Sequence, residues 1–361
     1  MSKISSAAAP KDSEARTVSL PKATTVQAQH EVLFDWSYAP ANAELANLHE
    51  HAVRSQWSAS RDLPWATPVD PTDEEKAILP AEFVDAAALK EIGIHLSPAE
   101  HRRLRADVCS WMLSQFLHGE QGALYAAAQA VESAPGGGLK AMAATQVADE
   151  SRHVAVFERY LREKLGRVYT ITDNLFKVIE SLLHDRHWDV KFLGMQIIVE
   201  GLALSAFGNM YKRSREPLLR ELLRRVLEDE ARHVRFGLLA LRAVTDTLDA
   251  RVRRSREDYA FEMARLMRDR FRAVEVYDEW FGHKLSRNQW SAVLAASAGM
   301  AEFQRILFGR LARHLTTIGL FSETMANRFA EEGLYDARRA VSHVSASQST
   351  RGDEQSEGDV T

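Results

Sequence analysis

Two hexapeptides could carry chemistry: Asp149-Glu150-Ser151-Arg152-His153-Val154 and Asp229-Glu230-Ala231-Arg232-His233-Val234, set 80 residues apart. A lone glutamate stands thirty residues before the glutamate of each, Glu120 in HGEQGAL and Glu200 in IVEGLAL, and these two keep the same offset of 80. Each half of the chain therefore reads Glu and then Glu-x-x-His. Residues i and i+3 share a helix face, so one helix carrying Glu-x-x-His presents an oxygen and a nitrogen donor together. A single such motif means little. Two, each preceded by a glutamate at equal spacing, are the pattern of a duplicated pair of antiparallel helices.

The elements that must position these residues can be read from hydrophobic periodicity. Ser97-Pro98-Ala99-Glu100 is a capping box with proline at the first helical position, so a helix starts there and runs towards SAPGGG at 133–138. Further helices are expected over 139–165, about 173–184, about 188–213 and 217–246. Later ones follow over about 250–282, after Ser286 with Gln289, and from near Ser322. No stretch between 97 and 345 alternates as strands do. On the helical stripes, Glu120 falls between Leu113 and Ala127, and Glu150 between Val147 and Phe157. Glu200 falls between Ile197 and Phe207, and Glu230 between Val226 and Leu241. All four occupy positions where the pattern calls for an apolar side chain, so a bundle built on these stripes points four carboxylates at its own axis.

Four unpaired buried carboxylates would be prohibitively costly or would take up protons. Lysines and arginines on the inward stripes are too few to compensate. Two divalent ions balance the charge: four carboxylates with two neutral imidazoles carry −4. Oxygen and imidazole donors without thiolate favour iron, with manganese as the alternative.

The bulk properties agree. The chain has 361 residues, 45% hydrophobic and 27% charged, and a net charge of −4, which gives no electrostatic reason to expect nucleic acid as a partner. Its single cysteine, Cys109, excludes intramolecular disulfides and cysteine-ligated iron–sulfur clusters and suits a reducing, cytoplasmic compartment. The apolar run at 192–208 is marginal in length for a membrane span and carries Glu200 at its centre, so a buried helix is expected rather than a span. Residues 1–30 and the acidic segment 346–361 read as disordered tails. Residues 31–345 read as one domain with its metal-binding core at 97–246. Residues 30–95, with Trp36, Trp57 and Trp65 among prolines, read as short helices and loops packed on that body.

The motifs resemble those of the ferritin-like carboxylate-bridged di-iron superfamily, most clearly over 97–246. Asp-Glu-x-Arg-His with an upstream Gly-Glu looks particularly like the hydroxylase subunits of bacterial multicomponent monooxygenases. The resemblance implies an all-α fold, a ferritin-like four-helix bundle with additional N- and C-terminal helices. It implies that Glu120, Glu150 and His153 hold one iron, and Glu200, Glu230 and His233 the other. Carried over in the same way, Asp149 orients His233, Asp229 orients His153, and Arg152 and Arg232 neutralise the two aspartates. Two departures stand out: Leu204 occupies the position of the hydroxylase threonine, and Phe157 that of the tyrosine in ribonucleotide reductase radical subunits.

Other residues are given lesser roles. His118 faces away from the glutamate stripe, and His184 with His187 lacks a partner motif. Tyr125 and Tyr160 are expected in core packing, with a place near the metal pair as the alternative, and Gly119, Ala123, Ala127, Ala130 and Ala203 in close helix packing or a substrate cavity. The functional expectation is an O2-dependent di-iron oxygenase or oxidase acting on a small organic substrate, free or carrier-bound, by hydroxylation, N-oxygenation or desaturation. With no flavin or iron–sulfur motif of its own, it needs an external electron donor such as a ferredoxin and its reductase. The alternatives are a radical-generating subunit and an iron-oxidising storage protein; the extra length outside the bundle weighs against storage. A homodimer through the outer helix faces is the default assembly.

Overall fold

The computed structural model describes residues 24–28, 30–36, 38, 42–295 and 298–335. The expected disordered tails fall outside these residues, save 24–28 and 30. The described residues contain helices and no strand: the protein is all-α. The helices are α1 Ala43–Arg54, α2 Ala86–Glu91, α3 Pro98–Ser133, α4 Gly137–Tyr160, α5 Asp173–His184, α6 Trp188–Phe192 and α7 Glu200–Arg213. They continue with α8 Pro217–Thr245, α9 Ala250–Asp269, α10 Val274–Phe281, α11 Arg287–Ala295, α12 Ala298–Thr317 and α13 Glu323–Glu331.

The bundle that positions the glutamates consists of α3, α4, α7 and α8. Helix α3 starts at the capping box: Ser97 Oγ accepts from the Glu100 amide at 3.3 Å, and the Glu100 carboxylate accepts from the Ser97 amide at 2.8 Å. The reciprocal pair satisfies two amides that a helix start leaves free. Gly136, at φ +80, supplies the positive-φ turn that folds α4 back along α3, the most extensive helix contact among the described residues. Helix α8 starts at Pro217 behind the buried carboxylate of Glu216, which accepts from the amides of Leu218 at 2.9 Å and Leu219 at 2.6 Å. The Tyr160 hydroxyl closes that cap by donating to Glu216 at 2.9 Å.

Between α6 and α7 the backbone widens into a π-helical stretch, Leu193–Val199, within one continuous helix Trp188–Arg213 of 26 residues. This helix is long and apolar enough to cross a membrane, but its apolar window is 89% buried within the protein. Helix α1 lies across α4 and α8, so the 30–95 region does pack onto the bundle through a short helix. From its C-terminal end the chain delivers Gln56 and Trp57 to the bundle.

The expected single helix over 250–282 is broken. Helix α9 stops at Asp269, Arg270–Arg272 forms a 3-10 turn, and α10 begins after Ala273 at φ 48. A left-handed alanine costs about 1–2 kcal/mol. Packing of Tyr277 and Phe281 from α10 against Trp290 of α11, with ring centroids 5.7 and 5.9 Å apart, offsets that cost. The break buries Arg270 to 5% exposure.

Candidate metal centre

All six residues read as metal ligands meet in the bundle interior. Glu120 comes from the middle of α3, Glu150 and His153 from α4, Glu200 from the first turn of α7 after the π stretch, and Glu230 and His233 from α8. Each is 5% exposed or less. Among the described residues they form two groups whose donor atoms lie within 4.8 Å of one another: Glu120, Glu150, His153 and Glu230, and Glu150, Glu200 and His233.

The grouping differs from that implied by the family resemblance. Glu150 turns one carboxylate oxygen to each histidine, Oε2 to His153 Nδ1 at 3.2 Å and Oε1 to His233 Nδ1 at 3.1 Å. Glu230 does likewise, at 3.2 Å to His153 and 3.8 Å to His233. The two Glu-x-x-His glutamates thus stand between the two sides instead of belonging one to each. Glu120 faces only His153, at 3.2 Å, and Glu200 only His233, at 3.3 Å. A Glu-x-x-His pair fixes one helix face, but sequence spacing does not show that two such faces oppose closely enough to share their carboxylates.

The fit to metal rests on the histidine edges. His153 Nε2 lies 3.0 Å from Asp229, and His233 Nε2 lies 3.2 Å from Asp149. A neutral imidazole that donates through Nε2 has only a lone pair at Nδ1, and that lone pair faces carboxylate oxygens on both rings. Several oxygens and one nitrogen at 3.1–3.3 Å repel unless a metal ion or protons lie among them. Donor atoms sharing one cation at about 2.1 Å are spaced at about 3 Å or a little more. Both oxygens of Glu230, one of Glu200 and Nδ1 of His233 have no hydrogen-bond partner. Such orphaned buried atoms are what a metal site needs.

Protons show the same demand. Burial, then the charge of Glu230, raises Glu120 well above the usual carboxylate range, and burial, then the charge of Glu150, does so for Glu200. Burial pulls Glu150 the same way, but the charge of His233 and hydrogen bonds from both histidines hold it well below. For both imidazoles burial is outweighed: hydrogen bonds to Asp229 and Glu120 raise His153, and the charges of Glu150 and Glu200 raise His233. The metal-free cluster therefore gathers protons that metal ions would replace.

The aspartates are held in turn. Asp149 accepts from Gln56 Nε2 at 2.8 Å and from Arg152. Asp229 accepts from Trp57 Nε1 at 2.8 Å, from Arg152 at 3.1 Å and from Arg232. Burial would raise Asp229, but the hydrogen bond from His153 and the charges of His153 and Arg232 hold it far below the ordinary value. The crossed pairing of each aspartate with the opposite half's histidine, carried over from the resemblance, is present.

Sequence reading missed several partners. Gln146, one turn before Glu150, donates through Nε2 to Glu150 at 3.0 Å and Glu200 at 2.7 Å, and its carbonyl accepts from Gln196 at 2.9 Å. A second polar residue on that stripe was the available signal. Gln56 and Trp57 gave none, because they reach the site from a loop. Tyr125 is 50% exposed and takes no part in the core. His118 contacts the Tyr169 carbonyl at 2.9 Å, and His184 that of Gln27 at 3.0 Å, both away from the centre.

A cavity of about 10 Å³ opens on the carboxylate side of the centre, lined by Phe116, Gly119, Glu120, Glu200, Phe207 and Arg270 among others. Neither histidine lines it. Leu204 is half-buried and outside the lining, whereas Ala203 is part of it. Phe157 packs with Phe207 and Phe116 at ring centroid distances of 5.5 and 6.3 Å, which closes the site off behind an apolar wall.

No family model matches this chain, and no curated protein does. Among solved structures it is similar to a variant of an R2-like ligand-binding oxidase with an aerobically reconstituted Mn/Fe cofactor. The TM-score is 0.46 at 14% sequence identity, and the match covers 77% of this chain and 95% of that one.

Proposed function

We propose that this protein is an O2-dependent di-iron oxidase or oxygenase, acting on a small organic substrate by hydroxylation, N-oxygenation or desaturation with electrons from an external donor. The observation that carries this reading is the facing of two histidine Nδ1 atoms onto four buried glutamates, with each Nε2 held by an aspartate. Bound here, a pair of redox-active ions supplies electron transfer to O2. The chain does the rest. Asp149 and Asp229 keep the Nε2 protons in place and so hold both Nδ1 lone pairs inward. Arg152 and Arg232 neutralise the aspartates. Gln146 fixes the rotamers of Glu150 and Glu200, and the Phe116–Phe157–Phe207 wall excludes water from the side where the cavity lies.

Anaerobic loading with ferrous salt, followed by exposure to O2, tests this. Uptake stops near two irons per chain and O2 is consumed with iron oxidation. Uptake of many irons per chain would mean storage. An organic-radical paramagnetic resonance signal after oxidation would mean a radical subunit. Phe157 at the radical tyrosine's position and Tyr160 committed to the Glu216 cap both favour the oxidase.

A further inference from the structure

The two halves of the repeat also differ on their outer faces. In the second half α12 lies across α7, and the His314 ring comes within 3.1 Å of where a Cβ on Gly201 would stand. Ser205, one turn further on, is 3% exposed. The residues 80 positions earlier are Gln121 and Tyr125 of α3. Both are exposed, Tyr125 to 50%, and no helix among the described residues covers them. Helix α5 packs only on the next strip of α3, with Ile179 against Gly122.

The adjoining helices repeat the contrast. Along the outside of α8 stand Glu221, Arg224, Glu228 and Arg235, and Arg224 pairs with Glu221 at 2.8 Å and with Glu228 at 2.6 Å. That is a solvated helix face. The counterparts on α4 are Ala141, Ala144, Ala148 and Ala155. Every exposed residue of α4 is uncharged: Gly137, Ala144, Ala148, Ser151 and Ala155.

An apolar arm runs along one end of this face. The Leu33 amide donates to the Glu132 carbonyl at 2.9 Å, and His30 pairs with the Glu132 carboxylate, which ties the arm to the last turn of α3. Five of the eight large apolar residues exposed among the described residues lie in it: Val32, Leu33, Phe34, Trp36 and Tyr38. Phe34 and Trp36 stack with ring centroids 5.3 Å apart, but only on each other. Taking about 200 Å² for a fully exposed aromatic, the arm, Tyr125 and the α4 alanines present roughly 800 Å² of apolar surface. That is about what each partner brings to a standard interface of about 1,600 Å² in total.

The chemistry of the face selects its occupant. Residues 1–23 and 336–361, outside the described residues, contain no aromatic residue with which to cover it. A charged partner would find no complementary charge on α4. A two-fold axis lays a face on its own copy, where any charge would meet its like, so an uncharged face suits self-association. We infer that the protein is a homodimer in which the α3–α4 face packs on that of a second copy about a two-fold axis, with the aromatic arms closing the two ends of the contact. The inference stands independently of the oxidase reading.

Sedimentation velocity of the full-length, metal-free chain tests it. The parent runs as a dimer at about 1 µM and above, as expected for an interface of this size. Ala148→Arg, in the middle of the α4 face, weakens the dimer at least about a hundredfold, because it buries a new charge against an apolar surface or its own copy. Trp36→Ser weakens it at least about tenfold; lying outside the helices, it tests the contact even if Ala148→Arg disturbs α4. Ala243→Arg, at an exposed position of α8, leaves the dimer unchanged. A parent that stays monomeric at about 100 µM overturns the inference. Monomers that float with phosphatidylcholine vesicles overturn it too, and give the arm to a bilayer surface instead. A dimer that Ala148→Arg and Trp36→Ser leave intact, or that Ala243→Arg breaks equally, places the contact elsewhere and overturns it. So does growth beyond two chains, since an isologous contact closes on itself.

Discussion

Phe116 of α3 and Phe157 of α4 face each other in the first half of the repeat, with ring centroids 6.3 Å apart. The positions 80 residues later are Gln196 and Gly237, and there the backbones come much closer. A Cβ added at Gly237 would lie 2.4 Å from the Cβ of Gln196. One half thus packs its ligand helices through two aromatic rings, and the other through a glycine pressed against a π-helical stretch. The freed amide of Gln196 turns inward to Gln146, which in turn donates to Glu150 and Glu200. The residues 80 away from those glutamines, Phe116 and Val226, are apolar and carry no equivalent network. Donors are duplicated; what surrounds them is not. The donor set is even between the halves, while its surroundings differ from one half to the other, and the small cavity opens on one side only.

The largest effect that would break this picture concerns which glutamates serve both sides. Glu150 presents an oxygen to each histidine, whereas Glu120 faces only His153. Glu150→Ala is expected to abolish stable binding of both ions, and Glu120→Ala to leave about one ion per chain on the His233 side. Metal analysis after gel filtration decides it. Equal losses from the two variants would mean that the shared carboxylate is not Glu150.

The second effect concerns protons. His153, His233, Glu120 and Glu200 are all raised in the metal-free protein, so its folded state binds more protons than the unfolded chain. Stability from such groups is complete below their ordinary values and is lost as pH rises through the raised ones. Glu150 is lowered, and its contribution disappears only as pH falls below the ordinary carboxylate value, beneath this window. Metal binding displaces the same protons, so the gain in melting temperature on adding Mn²⁺ should increase from about pH 6 to about pH 8. A gain that shrank over that range would contradict the crowding of donors around the two Nδ1 atoms.

How much of this the sequence disclosed depends on whether a residue's role is local. The six ligands were legible because each glutamate broke an apolar stripe and the break recurred at one spacing. The ends of α3 and α8 were legible because Ser97, Pro98 and Pro217 act within one turn. Arg270 was not: RFRA contains neither glycine nor proline, and only the packing of α10 on α11 forces the chain to break there. The sharing of Glu150 and Glu230 between sides, and the arrival of Gln56 and Trp57, depend on how helices far apart in sequence approach one another. No periodicity within a helix contains that distance.

The smallest effect addresses the closeness of the two halves directly, through one glycine in each. Gly119 in α3 and Gly237 in α8 are both buried and helical, and intrinsic propensity favours alanine at either by about 0.5–1 kcal/mol. At Gly119 nothing within 4 Å opposes the new methyl group, so Gly119→Ala should stabilise the protein by about that amount. At Gly237 the methyl would meet the Gln196 Cβ at 2.4 Å and the Ile197 Cδ1 at 3.2 Å. The first of these lies next to the backbone and cannot swing aside. Gly237→Ala must push the π stretch away, at a cost of about 1–3 kcal/mol that exceeds the gain in propensity. It should also pull Gln196 away from Gln146 and so loosen Glu200. Urea denaturation of the two metal-free variants should therefore give shifts of opposite sign. Shifts of the same sign would mean that the second half is packed no more tightly than the first, and that the glutamine chain has some other origin than the close approach at Gly237.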